Sequence, residues 1–216
     1  MAEMKSIPFN SSNVRAILAG NKTQTRRVIP GDNEYCVERD QLSPTGFATN
    51  HGYPVKHRYS VGDILYVRET HYVYGKWVKD GLTNTGRQQY RFVADGERPI
   101  YYEDSLPREI TICTGRDIVG YYKRPSLFMP RQYARIFVRV TGVRAERVQD
   151  ISEEDAKAEG CNYGFHDDGA SQYIQTHTPQ EQFAAVWDNI NSKRGFGWDV
   201  NPWVWVYEFA VERIVK

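Results

Sequence analysis

Residues 20–27 read GNKTQTRR, so a lysine, two threonines and two arginines fall within eight positions. Their ammonium, hydroxyl and guanidinium groups are donors that bind polar or anionic ligands. The segment predicts a loop that holds such a ligand. A solvated turn, in which Lys22, Arg26 and Arg27 only keep the surface charged, explains the same residues and is the commoner case on composition alone.

A short helix is expected before this loop. Val14, Ile17 and Leu18 form its apolar stripe, and the serines at positions 11 and 12 are candidate N-caps. Gly20 follows the last apolar residue and is placed to end the helix in the left-handed conformation, so the chain would leave the helix there.

The segment after the turn is expected to be a strand, in which alternate side chains share a face. If residues 23–28 form this strand, Thr23, Thr25 and Arg27 lie on one face, and Gln24 and Arg26 on the other. Lys22, in the turn, would fold back over the threonine face.

Composition limits the kinds of protein that this chain can be. Its 216 residues suit one domain of about 150 to 200 residues with added segments better than two full domains. Lys and Arg number 28 against 27 Asp and Glu, which gives a formal net charge of +1 and a pI near 7.7. This balance excludes the global positive field that drives non-specific duplex binding, so any nucleic-acid contact has to be local.

The cysteines and histidines do not form a metal-binding pattern. Cys36, Cys113 and Cys161 are far apart and lack CxxC pairs, and the five histidines lack the H-x-x-x-H and H-E-x-x-H spacings. We expect no disulfide framework, no metal and no cofactor. No apolar run approaches the roughly 20 residues that span a bilayer, so a cytoplasmic protein without a membrane partner is expected.

A second short helix is predicted at residues 152–159. Ser152 is its N-cap, acidic residues fill its first turn, and Gly160 ends it. Glu159 falls in the last turn, where the helix dipole disfavours an acid. A cation elsewhere in the chain can hold such a carboxylate, although a solvent-exposed glutamate is the commoner explanation.

A third helix carries the clearest local signals. Thr178 caps it, Pro179 starts it and Glu181 completes a capping box. From Phe183 onward, apolar residues recur at i, i+3, i+4 and i+7. We assign this aromatic stripe to the core.

Strands account for most of the remaining elements. Residues 61–69, 135–141 and 203–209 are predicted strands, and the turn-rich residues 72–122 predict several shorter ones. The segment 203–209 is apolar on both faces, and a closed or partly closed barrel would bury both faces and remove the sheet edges. The predicted fold class is α+β, mainly β, with short helices flanking a barrel.

Four motifs in this order resemble the ASCH domain, a branch of the PUA-like β-barrel superfamily. They are the G-x-K-x-x-[ST]-x-R pattern at residues 20–27, the GD-containing strand at 61–65, the acidic helix at 151–160 and the closing strand WVYEF at 205–209. The resemblance implies a single PUA-like domain over residues 1–216, with a β-rich subdomain inserted at about residues 72–130.

The same resemblance implies an amidohydrolase activity. In the N4-acetylcytidine amidohydrolase branch of this family, the catalytic lysine, threonine and glutamate correspond to Lys22, Thr25 and Glu159. Lys22 would act as base toward the Thr25 hydroxyl, which would attack the amide carbonyl, while Glu159 would orient Lys22 or carry a proton to the leaving amine. Main-chain amides of the turn would bind the oxyanion.

The resemblance also implies the residues that bind the substrate. Arg27 and Arg26, with Gly20 in the turn and Tyr66 as an aromatic contact, would bind a modified nucleoside or base, or single-stranded RNA. The acyl group removed from N4-acylated cytidine, or from a similar modified base, is left open.

Two other functions fit the same residues. A non-catalytic module would use Lys22 and Arg27 for phosphate, and Tyr66, Tyr133 or Trp198 to stack a base. The neutral net charge suits a small ligand better than a long strand. A phage structural or interaction protein, whose aromatic insertion would form an interface, is the second alternative. Residues 124–131 and 187–191 resemble the longer ASCH-like proteins of phages and prophages.

Overall fold

The structure is a computed structural model, and it describes residues 4–29, 36–38, 47–49, 55–162, 164–167, 173–176 and 178–215. Its helices are α1 (Ser11–Leu18), α2 (Glu153–Ala158) and α3 (Pro179–Asn191). Its strands are β1 (Ser6–Pro8), β2 (Gln24–Val28), β3 (Cys36–Glu38), β4 (Phe47–Thr49), β5 (Ile64–Arg68), β6 (His71–Leu82), β7 (Gln88–Ala94), β8 (Tyr101–Tyr102), β9 (Gly120–Arg124), β10 (Ile136–Arg147), β11 (Gly164–Asp167), β12 (Tyr173–Thr176) and β13 (Trp203–Ile214). The mixed α+β class, mainly β, is confirmed.

The chain divides into two compact units. The first unit comprises residues 1–5, 16–65 and 136–216, and the second comprises residues 6–15 and 66–135. None of the helices in the described ranges is both long and apolar enough to cross a membrane.

In the first unit, the sheet runs in the order β5, β10, β13, β2, with β5 represented by Ile64 and Leu65. β13 is antiparallel to both of its neighbours, β10 and β2. The strand order among the described residues is linear, so the closed barrel predicted from the sequence is not shown. A short pair, β11 with β12, and another, β3 with β4, lie outside this sheet.

One apolar core cluster of the first unit is formed by β13 with the helices α2 and α3. Its buried members are Val148, Ile151, Ala156, Cys161, Phe183, Trp187, Val204 and Val206. The α3 capping box forms as predicted, because the Thr178 hydroxyl accepts the Glu181 amide while the Glu181 carboxylate accepts the Thr178 amide. The two aromatic residues of the α3 stripe, Phe183 and Trp187, are buried as predicted, whereas Ile190 at its end is 50% exposed.

The N-cap of α1 differs from the expected serines. Asn10 precedes the helix, and its side-chain oxygen accepts the main-chain N–H of Asn13 at 2.9 Å. The serines at positions 11 and 12 are instead the first helical residues. Asparagine and serine are both good N-cap residues, so the sequence at positions 10–12 does not determine which of the three residues caps the helix. Gly20 has a φ of +76°, so the helix does end in the left-handed conformation.

The second unit is built around the long strand β6. Gly75 pairs with Ala94 of β7 and with Gly120 of β9, so these two strands lie on opposite edges of β6. β8 pairs with the start of β6 on the same edge as β7, because β9 occupies the other edge there. β1 runs parallel to the part of β5 that belongs to this unit.

Candidate functional site

The turn that carries Lys22 is fixed by main-chain hydrogen bonds to two helices. The amide of Lys22 donates to the carbonyl of Ala16 at the end of α1, and the amide of Thr23 donates to the carbonyl of Ala158 in α2 at 2.8 Å. Gly160, with a φ of +94°, lies against this turn, where a Cβ atom would meet Ala16 at 3.2 Å. The end of α2 is therefore held beside Lys22.

Lys22 and Glu159 form a buried ion pair. The Nζ atom of Lys22 donates to Oε2 of Glu159 at 2.6 Å and to the main-chain oxygen of Glu159 at 2.7 Å. The two side chains are only 2% and 5% exposed. The solvent-exposed glutamate that composition favours is therefore wrong, and Lys22 offsets the unfavourable position of an acid at the helix end.

Arg26 holds the other oxygen of the same carboxylate. Its Nη1 donates to Oε1 of Glu159 at 3.2 Å, and its Nη2 donates to Oδ2 of Asp155 at 2.8 Å. Its Nε donates to Oε1 of Glu146 at 3.0 Å. The Arg26 guanidinium is fully buried, and it lies 5.5 Å from the centre of the Phe183 ring. Three carboxylates thus surround one arginine, as burial of a charge requires.

Arg144 extends this network toward solvent. It donates to Glu146, Asp155 and Glu208, and its side chain is 36% exposed. Burial alone would raise the pKa of Asp155, but the guanidiniums of Arg144 and Arg26 outweigh it and hold that pKa below its usual value. We call Lys22, Arg26, Glu146, Asp155 and Glu159, together with Arg144, the ion network.

Thr25 and Arg27 share the opposite face of β2 from Arg26. In the pairing with β13, Thr25 lies opposite Tyr207 and Arg27 lies opposite Trp205. Thr25 is 4% exposed. Burial lowers the pKa of the Arg27 guanidinium, although the nearby Glu159 carboxylate raises it.

The structure therefore brings together only some of the residues that the sequence predicts. Lys22 and Arg26 both contact the Glu159 carboxylate, so Lys22 lies on the Arg26 side and not over the threonine face as predicted. Thr25 and Arg27 flank Arg26 in β2 but lie on the other face of that strand. Gly20 lies at the end of α1 and is exposed.

The aromatic residues that were candidates for base stacking are distributed differently. Tyr66 and Tyr133 belong to the second unit, where Tyr66 pairs with Ser6. Trp198 packs against the core, with its ring centre 6.2 Å from that of Phe183. Cys161, two residues after Glu159, is also a core residue.

Sequence reasoning missed Glu146, Asp155 and Arg144. Two signals were present. Arg144 and Glu146 are separated by two positions in a strand, which places them on one face. Asp155 was interpreted only as a favourable charge in the first turn of α2. Neither signal identifies Arg26, 120 to 129 positions away in the chain, as the shared partner.

Comparisons with known proteins do not assign the chain to a family. No family model matches it, and no curated protein matches it. It is similar to the crystal structure of protein EF3133 from Enterococcus faecalis V583, described under the family model DUF984. That alignment covers 100% of this chain and 85% of the other, with 10% sequence identity and a TM-score of 0.43. A likeness of that size establishes neither family nor function.

Proposed function

We propose that this chain is an ASCH-type amidohydrolase with a PUA-like fold, which removes an acyl group from N4-acylated cytidine or a similar modified base. The observation that carries the proposal is the 2.6 Å contact between Lys22 and Glu159, 137 positions apart in the chain. Thr25 supplies a hydroxyl three residues after Lys22. The motif resemblance assigns catalytic roles to the same three residues.

The reaction begins with a proton transfer inside the ion pair. While it is paired as an ammonium with the Glu159 carboxylate, Lys22 lacks the lone pair that a base needs. Transfer of one proton along the 2.6 Å hydrogen bond to Oε2 of Glu159 leaves a neutral amine. Arg26, which holds Oε1, keeps the carboxyl group in place during this transfer.

The neutral amine then takes the proton of Thr25 as its oxygen attacks the acyl carbon. The carbonyl electrons move onto the oxygen. The amides of residues 20–23, which the sequence suggests for this oxyanion, donate to main-chain carbonyls in the structure, so the turn would have to open before they bind it. When the intermediate collapses, the C–N bond breaks and the departing N4 amine accepts a proton from Glu159 or Lys22. Water then hydrolyses the acyl-Thr25 ester, which releases a carboxylic acid and restores the hydroxyl.

The proposal places one requirement on the protein. Lys22 and Thr25 are only 3% and 4% exposed, so substrate binding has to increase access to the Thr25 hydroxyl. Movement of the turn at residues 20–23 is the smallest change that would do so. It would also bring Lys22 toward the threonine face of β2.

The test is release of cytidine from N4-acetylcytidine and its longer-chain N4-acyl analogues, followed by chromatography. Wild-type protein should release cytidine and one equivalent of acid, and Thr25→Ala should not. If wild-type protein releases no cytidine from any of these substrates, the amidohydrolase proposal is wrong.

The non-catalytic binding module fits this site less well. A lysine that binds phosphate needs an unneutralised ammonium, whereas Lys22 is already held by the Glu159 carboxylate. Calorimetric titration of the same nucleosides separates the two. Binding of N4-acetylcytidine without any turnover would favour the module over the enzyme.

A further inference from the structure

The second unit carries a cluster of tyrosines on one face of its β6 sheet. Tyr72 pairs with Tyr101 of β8, and Tyr74 pairs with Tyr121 of β9. Because alternate residues of a strand share a face, all four rings lie on the same side of the sheet. We call this side the tyrosine face.

The rings of the tyrosine face contact one another and are partly open to solvent. The ring centre of Tyr121 lies 5.2 Å from that of Tyr74 and 5.4 Å from that of Tyr101. These three side chains are partly exposed, whereas Tyr72 is buried. The Tyr121 hydroxyl donates to the carbonyl of Pro99 at 3.2 Å, which fixes the ring. The face therefore presents a set of oriented aromatic rings.

Basic side chains surround these rings. Lys123 pairs opposite Tyr72, and Lys76 follows Tyr74 on the same face of β6. The guanidinium of Arg98 lies 5.0 Å from the centre of the Tyr74 ring, and Lys123 Nζ lies 5.9 Å from that of Tyr72. Arg91 is on this face as well, because it pairs opposite Val78.

These four cations are exposed and only weakly neutralised. Lys123 lies 3.2 Å from Glu103, and Arg91 lies 3.4 Å from Asp80, both as surface pairs. Such pairs are screened by solvent and contribute little, so an incoming anion can compete for the cation. Among the residues that the structure describes, neither Lys76 nor Arg98 forms a salt bridge.

Charge is also unevenly divided between the two units. The second unit contains 13 Lys and Arg against 8 Asp and Glu, a net charge of +5. The whole chain has a net charge of only +1, so the first unit carries −4. The neutral composition of the chain therefore conceals a basic unit.

We propose that the tyrosine face binds single-stranded nucleic acid. Bases stack on aromatic rings whatever their sequence, and basic side chains that border the rings bind the phosphates. Tyr74, Tyr101 and Tyr121 would stack successive bases, while Lys76 and Arg98 would contact the backbone. A duplex would bind less tightly, since its bases are already stacked. The proposal does not depend on the amidohydrolase activity, since it uses no residue of the ion network or of β2.

The experiment measures fluorescence anisotropy of labelled single-stranded RNA and DNA oligonucleotides with the full chain. A duplex of the same sequence and a base-free polyanion, polyglutamate, are the comparison ligands. Wild-type protein should bind the single strands more tightly than either. Tyr74→Ala and Tyr121→Ala should each weaken binding about 5- to 100-fold, as the loss of one stacked base predicts.

Arg98→Ala and Arg116→Ala form a matched pair of variants. Both arginines are exposed and lie over a tyrosine ring, but Arg116 lies 4.6 Å from Tyr90, which is on the opposite face of the sheet. Arg98→Ala should weaken binding and reduce the slope of log affinity against log salt by about 0.7, whereas Arg116→Ala should change neither. Since both are surface substitutions, this comparison remains valid if a tyrosine variant fails to fold.

Three results would overturn the proposal. The first is that wild-type protein binds neither single strand, and the second is that it binds polyglutamate or the duplex as tightly as the single strands. The third is that Arg116→Ala and Arg98→Ala weaken binding equally, which would indicate general charge attraction. Arg98→Ala should leave the hydrolysis of free N4-acetylcytidine unchanged, so a failure of either proposal can be recognised separately.

Discussion

Lys22 Nζ lies 2.6 Å from Oε2 of Glu159, and both side chains are almost completely buried. The end of α1 and the end of α2 create this contact, because each helix stops at a glycine with positive φ and the two turns touch. A buried ion pair adds little stability by comparison with apolar residues of the same size. Its position beside the turn of residues 20–23 is instead what the proton transfer in our proposal requires.

The first prediction concerns the nucleophile. Thr25→Ala should lower the turnover of N4-acetylcytidine by about a thousandfold or more, as removal of a nucleophile does at other acyl-transfer sites. Thr25→Ser keeps a hydroxyl and should retain measurable turnover. Both rates are obtained from cytidine release under substrate excess. Equal rates for Thr25→Ala and wild type would exclude Thr25 as the nucleophile.

The second prediction concerns the stability of the ion pair. Glu159→Gln leaves the buried cations Lys22 and Arg26 without their shared carboxylate, so it should lower the free energy of unfolding by about 3–5 kcal/mol. Glu153→Gln is the matched control in the same helix. Glu153 pairs with Lys157 at the surface, and its loss should cost at most about 0.5 kcal/mol.

Urea unfolding of the two variants provides the comparison. A cost for Glu159→Gln no larger than that for Glu153→Gln would mean that Lys22 and Arg26 find other partners. In that case the ion pair would not fix the position of Lys22.

Local signals in the sequence were sufficient for the helices that position the site. The capping box at Thr178 and Glu181 joins residues three positions apart, and Ser152 caps α2 by accepting the Asp155 amide. Such contacts are made within one turn, so the sequence contains both partners. The period of two along β2 likewise suffices to place Arg26 and Thr25 on opposite faces of the strand.

The parts that the sequence did not predict depend on contacts between distant residues. Periodicity places Arg26 on one face of β2 but does not name Glu146 as its partner. The apolar run at residues 203–209 predicts a strand, yet β13 continues to Ile214 because β10 pairs with it up to Ile136. Barrel closure depends on which strands meet, and a strand pattern does not determine that.

The third prediction concerns pH and Asp155. Its pKa in the folded protein lies below the value near 3.9 of an unfolded chain. Its contribution to stability is therefore present above that pH and is lost as pH falls through the folded pKa. At neutral pH, Asp155→Asn should lower the free energy of unfolding by about 1–3 kcal/mol, because it removes charge-assisted hydrogen bonds to Arg26 and Arg144. At about pH 3.5 the loss should be smaller.

Urea unfolding of Asp155→Asn and wild type at the two pH values measures this difference. Asp150→Asn is the control, because Asp150 is exposed and should change stability by less than about 0.5 kcal/mol at either pH. A cost for Asp155→Asn that is constant with pH would show that the carboxylate charge is not responsible.

The fourth prediction compares two arginines that each form a bidentate pair with a glutamate. Arg135 donates to both oxygens of Glu69, which is 2% exposed, whereas Arg139 donates to both oxygens of Glu212 at the surface. Arg135→Met should cost about 3–5 kcal/mol because Glu69 is left buried without its cation. Arg139→Met should cost less than about 1 kcal/mol. Thermal and urea unfolding should rank the two variants in this order, and the reverse order would refute the burial argument.

The last prediction tests whether a thiol competes with Thr25 as the nucleophile of the first unit. Burial, together with the nearby Glu159 carboxylate, raises the pKa of Cys161 to about 12, so the thiolate is almost absent at neutral pH. Iodoacetamide at about pH 8 should therefore alkylate Cys161 at least a hundredfold more slowly in the folded protein than in urea, since the thiolate is the reactive form. Cys113, which is half-buried, should be protected much less. Peptide mass spectrometry after timed quenching measures both rates in one sample. If Cys161 reacts as fast as Cys113 in the folded protein, a reactive thiol lies two residues from Glu159. The turnover of Cys161→Ala would then have to be compared with that of Thr25→Ala before Thr25 is assigned as the nucleophile.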